Sequence, residues 1–170
     1  MRCHFLEPTF RFAKREDLPQ IVAIYNETIP SYMVTADLEP ISVESRHNWF
    51  EQHTSDQFPL WTIELNNQVA GWMSLSPFKE RPEYSKTAEI SIYIAESFRG
   101  NHLGHKSLSF LEKQISNYSF ETVIALVFEH NLASQSLFTR NGYMLWGHLP
   151  NVAILNHKHR DLLFLGKRYQ

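Results

Sequence analysis

The spacing of apolar residues changes several times along the chain, and each change marks an element. After a short strand-like segment at Phe10 to Ala13, Leu18, Ile21, Val22, Ile24 and Tyr25 recur at the spacing of one helical face, predicting a helix from Asp17 to Ile29. Pro19 suits its first turn and Pro30 ends it. A second helix is predicted from Val43 to about His53, following Pro40 and Ser42. Leu60 to Leu65 and Val69 to Ser76, separated by Asn66-Asn67-Gln68, predict an antiparallel hairpin. Pro77 to Lys86, rich in proline and charge, predicts a loop. From Thr87 to Ile94 alternation is clean: Ala88, Ile90, Ile92 and Ile94 point one way, and Thr87, Glu89, Ser91 and Tyr93 the other. The run Arg99 to Gly104 then opens a helix whose apolar positions, Leu103, Leu108, Phe110, Leu111 and Ile115, carry it to about Tyr118. Thr122 to Phe128 reads as a continuously apolar strand, and Leu132 to Arg140 as a helix stopped by Asn141-Gly142. Strand-like runs at Tyr143 to Leu149 and Asp161 to Lys167 close an α/β order: strand, two helices, three strands, helix, strand, helix, two strands.

Composition narrows what such an array can be. With 170 residues, 43% of them hydrophobic, and no linker-like stretch, one domain is expected over residues 1–170, with 1–9 as a flexible N-terminal segment. Sixteen Lys and Arg against 18 Asp and Glu leave a formal charge of -2, which gives no electrostatic reason to expect nucleic acid as a partner. No apolar run approaches the roughly 20 residues needed to cross a bilayer, and the first ten residues lack a secretory core, so a soluble, cytoplasmic protein with no membrane partner is expected. Cys3 is the one cysteine, so neither a disulfide framework nor a Cys-rich metal site can be built, and redox chemistry is not expected. Aromatic residues make up 14% of the chain, and the tryptophans at 49, 61, 72 and 146 allow a well-packed core or several apolar pockets.

The junction between the strand at 87–94 and the turn at 99–104 carries the most chemical information. A turn leading into a helix exposes unpaired backbone N–H groups beside the helix's positive end, where anions bind. A pyrophosphate fits across such amides, and Gly100 and Gly104 allow close backbone approach. A plain tight connection accounts for a two-glycine turn equally well on its own.

The run SIYIAESFRGNHLG at 91–104 resembles the acyl-CoA site of the GNAT superfamily of N-acyltransferases, whose signature is Arg or Gln, two residues, Gly, one residue, then Gly or Ala. Arg99 and Gly104 stand at its ends, while His102 occupies its first glycine. YNETIP at 25–30, VTADLEPISVESR at 34–46, AGWMSLSPF at 70–78, TAEISIYI at 87–94, HN at 130–131 and WGHLPNVAILN at 146–156 resemble the phosphinothricin and methionine sulfoximine acetyltransferase branch. The likeness extends over about Phe10 to Arg168.

This resemblance implies a mixed, mostly antiparallel, V-shaped sheet flanked by helices, with acetyl-CoA as cosubstrate. It implies a bulge near Ile92 that splays that strand from Thr122 to Phe128, making room for the pantetheine arm. A free N–H near Tyr93 or Ile94 then polarises the thioester carbonyl. Cofactor contacts are expected from Ile92, Tyr93, Ile94, Arg99, Gly100, Asn101, His102, Leu103, Gly104 and His105, and from Asn131, for which a helix cap is the structural alternative. Glu89 matches the branch's general base, because an amine must lose its proton to attack, and desolvation beside aromatic rings raises a carboxyl pKa toward neutrality. Ser91 lies on the same polar face. The loop at 78–84 corresponds to the branch's substrate loop, where Arg81 can grip a carboxylate or phosphinate, with Lys79 and Tyr84 as further contacts. Phe138 stands where relatives carry Tyr or His, which removes a dedicated general acid and leaves water or Tyr93 to protonate the leaving thiolate.

Nine histidines raise the question of a metal. His102 with His105, and His157 with His159 in an expected loop, have no third ligand at a familiar spacing, so no metal is expected. The implied reaction is direct attack of a small amino acid's α-amine on acetyl-CoA in a ternary complex, by a homodimeric enzyme. Acetylation of another small amine or a protein N-terminus, and a non-catalytic acyl-CoA sensor, remain open.

Overall fold

The computed structural model describes residues 7–169, and Cys3 lies outside them. One seven-stranded sheet runs in the order β1-β2-β3-β4-β5-β7-β6. Its strands are β1 (Thr9–Phe12), β2 (Leu60–Leu65), β3 (Gln68–Pro77), β4 (Thr87–Ile94), β5 (Thr122–Phe128), β6 (Met144–Leu155) and β7 (Lys158–Arg168). Every neighbouring pair is antiparallel except β4 with β5. Thr9, expected in a flexible segment, instead pairs with Glu64. Arg11 bridges Asp17 and Glu64, both at 2.7 Å, so β1 is tied at once to the start of the first helix and to β2.

Two helices cover each face. On one face α1 (Leu18–Thr28) and α2 (His47–Glu51) cover the sheet, with Ile21 and Ile24 packed among Leu60 and Trp72. On the other, α3 (Leu103–Gln114) and α4 (Leu132–Arg140) bring Leu108, Leu111 and Phe138 against Leu75, Ile90, Val123, Ala125 and Leu163. Phe138 is therefore core, stacked edge-on to Tyr143 at 5.0 Å. Alternation along β3 and β4 sorts their residues between these faces. Met73 and Leu75 sit opposite Ile92 and Ile90 on the α3 side, while Trp72, Ser74 and Ser76 sit opposite Tyr93, Ser91 and Glu89 on the α1 side.

Four expected elements change shape. The helix expected over 43–53 divides into a 3-10 turn at Glu44–Arg46 and the five-residue α2, with Arg46 at the joint. The helix from Leu103 ends at Gln114 and tightens into a 3-10 turn over Ile115–Asn117. The last two strands are far longer than 143–149 and 161–167 and meet in a two-residue turn, Asn156-His157, with φ of 47° and 60°. That left-handed pair suits a tight hairpin. Pro150 and Asn151 break the alternation in β6, but a register shift between Leu149 and Ala153 absorbs them. His159, expected in a loop, therefore belongs to β7. A matching turn at Asn66-Asn67, with φ of 56° and 59°, joins β2 to β3 and leaves Gln68 in the strand.

Candidate active site

The parallel pair β4 and β5 is joined over three residues only, Thr87 to Glu89 against Thr122 to Ile124, after which the strands diverge. This is the expected V. It arises without the expected bulge, since β4 stays in unbroken register with β3 from Ala88 to Ile94. The opening comes from β5 following β7, to which it pairs through Phe128. Amide direction along β4 follows from its two ends: Thr87 accepts from Phe78 N–H, and Ala95 N–H donates to Ala70. Antiparallel alternation then turns the odd-numbered amides toward β3 and those of Ile92 and Ile94 toward the gap. Tyr93 N–H is thereby committed to β3, so the gap-facing amides are those of Ile92 and Ile94.

A cleft of about 870 Å³ fills this gap, walled by Ile92, Tyr93 and Ile94, the turn at 98–105, and α4. Arg99, Gly100, His102, Leu103, Gly104 and His105 line it together with Asn131. Asn101 is the exception: its side-chain amide donates to Phe98 O at 3.0 Å and staples the turn. The first helical bond of α3 runs from Lys106 N–H to His102 O, so the amides of Leu103, Gly104 and His105 have no acceptor within the helix. Gly100 and His102 both adopt left-handed backbone, at φ of 82° and 58°, which curls the turn so that its amides converge. The lining residues include Arg99, Arg140 and the two histidines but no acid. Asn131 lines the cleft and caps α4: its oxygen accepts from Ser134 N–H at 3.1 Å, while its amide donates to Met33 O at 3.0 Å, tying down the 31–34 segment that also borders the cleft. Converging amides, a helix N-terminus and cationic side chains fit the diphosphate and pantetheine of a coenzyme A thioester.

A second cavity, about 150 Å³, lies on the α1 side and shares Tyr93 with the cleft. Its walls are Tyr25, Trp49, Trp72 and Tyr93, with Ser74, Ser76 and Ser91 on the sheet and Arg46 as the one charged lining residue. Trp72 stacks on Tyr93 at 4.5 Å and anchors its indole N–H on Ile21 O at 3.1 Å. Tyr93 is partly buried, and desolvation drives the pKa of its phenol far up, so it stays protonated. Glu89 heads the polar row that continues through Ser91 to Tyr93. Burial pushes its carboxyl above the usual carboxylate range, and nearby Lys79 pulls it partly back.

Of the loop residues, Lys79 approaches Glu89 electrostatically, and Tyr84 packs edge-on to Phe78 at 6.0 Å. Arg81 is exposed, and none of the three lines either cavity. Sequence reasoning missed Arg140, Ser134 and Met33 in the cleft, and Tyr25, Arg46, Trp49 and the serines of β3 in the cavity. Tyr25 and Arg46 stand in the segments 25–30 and 34–46 already singled out, which was the available signal. Among the described residues, Glu129, His148 and Asp161 place potential ligand atoms within 4.8 Å of one another. Asp161 is engaged there by His148 at 2.6 Å and by Asn151 N–H at 2.9 Å, which pins the irregular stretch of β6.

Comparison with known proteins gives this geometry a context. The family model described as acetyltransferase (GNAT) family matches residues 21–143. YwnH of Bacillus subtilis, provisionally named a phosphinothricin acetyltransferase, is 43% identical over 94% of this chain and 98% of its own. The L-methionine sulfoximine/L-methionine sulfone acetyltransferase of Pseudomonas paraeruginosa is 26% identical over 94% of each. The crystal structure of a GNAT superfamily phosphinothricin acetyltransferase from Sinorhizobium meliloti, in complex with acetyl-CoA, superposes with a TM-score of 0.89 at 25% identity, covering 96% of this chain and 89% of that one.

Proposed function

Because the chain belongs to the GNAT acetyltransferase family, and is an acetyl-CoA-dependent N-acetyltransferase, we propose that it acetylates the α-amine of a small amino acid or analogue of the methionine sulfoximine or phosphinothricin type. One observation carries this reading: a cavity of about 150 Å³ meets the coenzyme cleft at Tyr93, with Glu89 on the same strand face. A cavity that small and that walled by side chains suits a free amino acid better than the N-terminus of a protein. The relatives named for phosphinothricin and for methionine sulfoximine support the same class.

In this reading Ile92, Tyr93, Ile94, Arg99 to His105 and Asn131 hold acetyl-CoA, with its diphosphate on the amides of 103–105. The Ile92 and Ile94 amides take up the negative charge that develops on the thioester oxygen. Glu89, directly or through a water, accepts the proton that the ammonium group of the acceptor must lose. The freed lone pair attacks the carbonyl carbon, the nitrogen gives up its second proton as the carbon–sulfur bond breaks, and the departing sulfur takes up a proton from water or by relay through the Tyr93 hydroxyl, which regains the one it passes on. No covalent acyl-enzyme is needed. Ser91, Lys79, Arg81 and Tyr84 flank the Glu89 end as the rim of the acceptor site.

The reading extends to setting and assembly. One domain carries the activity in the cytoplasm, and no helix among the described residues is long and apolar enough to cross a membrane. The edge strand β6 leaves Met144, Leu145, Val152 and Ile154 exposed, an apolar unpaired edge of the kind that a second copy covers. A homodimer through β6 is the expected assembly, and light scattering after gel filtration measures it. Thiol release from acetyl-CoA, screened against amino acids, methionine sulfoximine, phosphinothricin and polyamines, tests the acceptor class. Turnover confined to the polyamines rejects it.

A further inference from the structure

The geometry points to Arg46, rather than the exposed guanidinium of Arg81, as the residue that grips the acceptor's α-carboxylate and so selects amino acids over plain amines. This rests on the acceptor reading above and names the group within the small cavity that enforces it.

Four observations converge on Arg46. Among the described residues it is the only charged one lining the cavity, whose other walls are rings, aliphatic side chains and hydroxyls. Its guanidinium lies over the Tyr25 ring at 5.4 Å and near the Trp49 ring at 5.9 Å, so aromatic surfaces hold it in place. Asp37 pairs with it in charge but not by a hydrogen bond: Nη2 is 3.6 Å from Asp37 Oδ2, and that same oxygen already accepts the Tyr25 hydroxyl at 2.5 Å, which leaves the guanidinium's donors open. The Arg46 side chain is only 29% exposed, so a carboxylate meeting it there is partly shielded from water, where a charge-assisted bidentate pair gains strength.

Position along the sheet supplies the chemistry. Arg46 and the rings of Tyr25 and Trp49 occupy the α1 and α2 side of the cavity, and the serine row leads along β3 and β4 from Tyr93 toward Glu89. An amino acid has its two charged groups on one carbon. With its carboxylate at Arg46, its amine is left to face the sheet side, where Glu89, directly or through a water, can take the proton and where the cavity meets the thioester cleft at Tyr93. A polyamine gains nothing from Arg46 and meets a like charge. Arg81 sits outside both cavities and is exposed, where an ion pair contributes little.

The test compares the full-length wild type, R46Q, R46K and R81A on the best amino acid from the thiol-release screen and on its decarboxylated amine. R46Q is expected to lower kcat/KM for the amino acid by roughly 50-fold, mostly through KM, and to change the amine by less than about threefold. R46K, which keeps the charge but loses the fork, is expected to fall between. Because Trp49 and Trp72 line the cavity, quenching of intrinsic fluorescence by the amino acid gives a second, activity-independent readout, expected in the wild type and weakened in R46Q. Equal losses on both substrates overturn the assignment, as does selective loss in R81A with R46Q unaffected. A wild type that acetylates amines but no amino acid overturns the acceptor reading itself and the clamp with it, whereas amino-acid turnover indifferent to R46Q removes the clamp alone.

Discussion

The coenzyme cleft and the acceptor cavity share one tyrosine, yet they are built by opposite means. The cleft joins the stretch 92–105 to 28–34 and 131–141, and much of its recognition is main-chain: orphan amides at 103–105, gap-facing amides on β4, and left-handed turns at 100 and 102. The cavity is assembled from α1, the joint before α2, β3 and β4, and its character is set by side chains: four rings, three hydroxyls and one guanidinium. Backbone recognition suits a coenzyme that does not change. Side-chain recognition can be altered one residue at a time, so the part that chooses the acceptor is the part most open to substitution.

The largest expected effect separates chemistry from binding, at a carboxylate four residues along β4 from the tyrosine the two regions share. Glu89→Gln is expected to lower turnover by roughly 100-fold or more while leaving acetyl-CoA affinity, read by calorimetry, almost intact. The wild-type acid limb of kcat/KM is expected above the ordinary carboxylate range and is lost in the variant, since burial raises this pKa. The same shift has a sign for stability. A folded-state pKa above the unfolded one means that the native state binds the extra proton between the two values, so stability falls as pH rises through that window. Replacing the charge is therefore expected to raise the melting temperature slightly at pH 7 and not at pH 4. Unchanged turnover removes Glu89 from the mechanism.

Next in size is a change that strikes both regions through their common wall. At Gly71 a methyl group would lie 2.5 Å from the carbonyl oxygen of Tyr93 and 2.9 Å from the Ile94 side chain. Backbone cannot swing aside as a side-chain tip can, so β3 and β4 must part where both sites need them fixed. Gly71→Ala is expected to cost about 2 kcal/mol of stability and to raise KM for acetyl-CoA and acceptor together, measured by denaturant melts and initial rates. A rise in only one constant shows that the two regions are mechanically separate at Tyr93.

How much was legible from the chain follows the same division. The alternating strand at 87–94, the turn at 99–104 and the helix after it are local patterns, and their expected cofactor contacts line the cleft, save Asn101, whose side chain is spent on the turn, while Ser91 lines the cavity and Glu89 lines neither. The V was implied by resemblance, and its cause, divergence of β5 with β7 rather than a bulge, is a property of strand pairing that no local run reveals. Arg46 reads locally as an ordinary charged residue in a polar stretch. Its role depends on Tyr25 and Trp49 folding over it, contacts set by how α1 and α2 lie on the sheet. The long β6 was hidden because Pro150 and Asn151 imitate a loop that the register shift accommodates.

A smaller effect is expected at Asn131, which belongs to the cleft alone. Asn131→Ala removes the cap on α4 and releases the Met33 carbonyl, at an expected cost of about 1 kcal/mol. KM for acetyl-CoA should rise severalfold with KM for the acceptor unchanged. If the acceptor constant rises instead, the 31–34 segment serves the other site.

The smallest expected effect is the one that most sharply tests whether backbone or side chain holds the coenzyme. His102 carries a φ of 58° at the N-terminus of α3, a left-handed conformation that costs an ordinary L-residue roughly 1–2 kcal/mol and glycine almost nothing. The signature's preference for glycine at this place thus has a geometric cause, and histidine is tolerated because its side chain is exposed at the mouth of the cleft. His102→Gly should therefore stabilise the protein by about 1 kcal/mol in chemical denaturation, with acetyl-CoA affinity changed by less than about threefold. That near-silence would contrast with the roughly 50-fold loss expected when Arg46, the one charged lining residue of the other region, is neutralised. A tenfold loss of acetyl-CoA affinity in His102→Gly would mean that the imidazole itself holds phosphate, and the cleft would then read its ligand through side chains just as the cavity does.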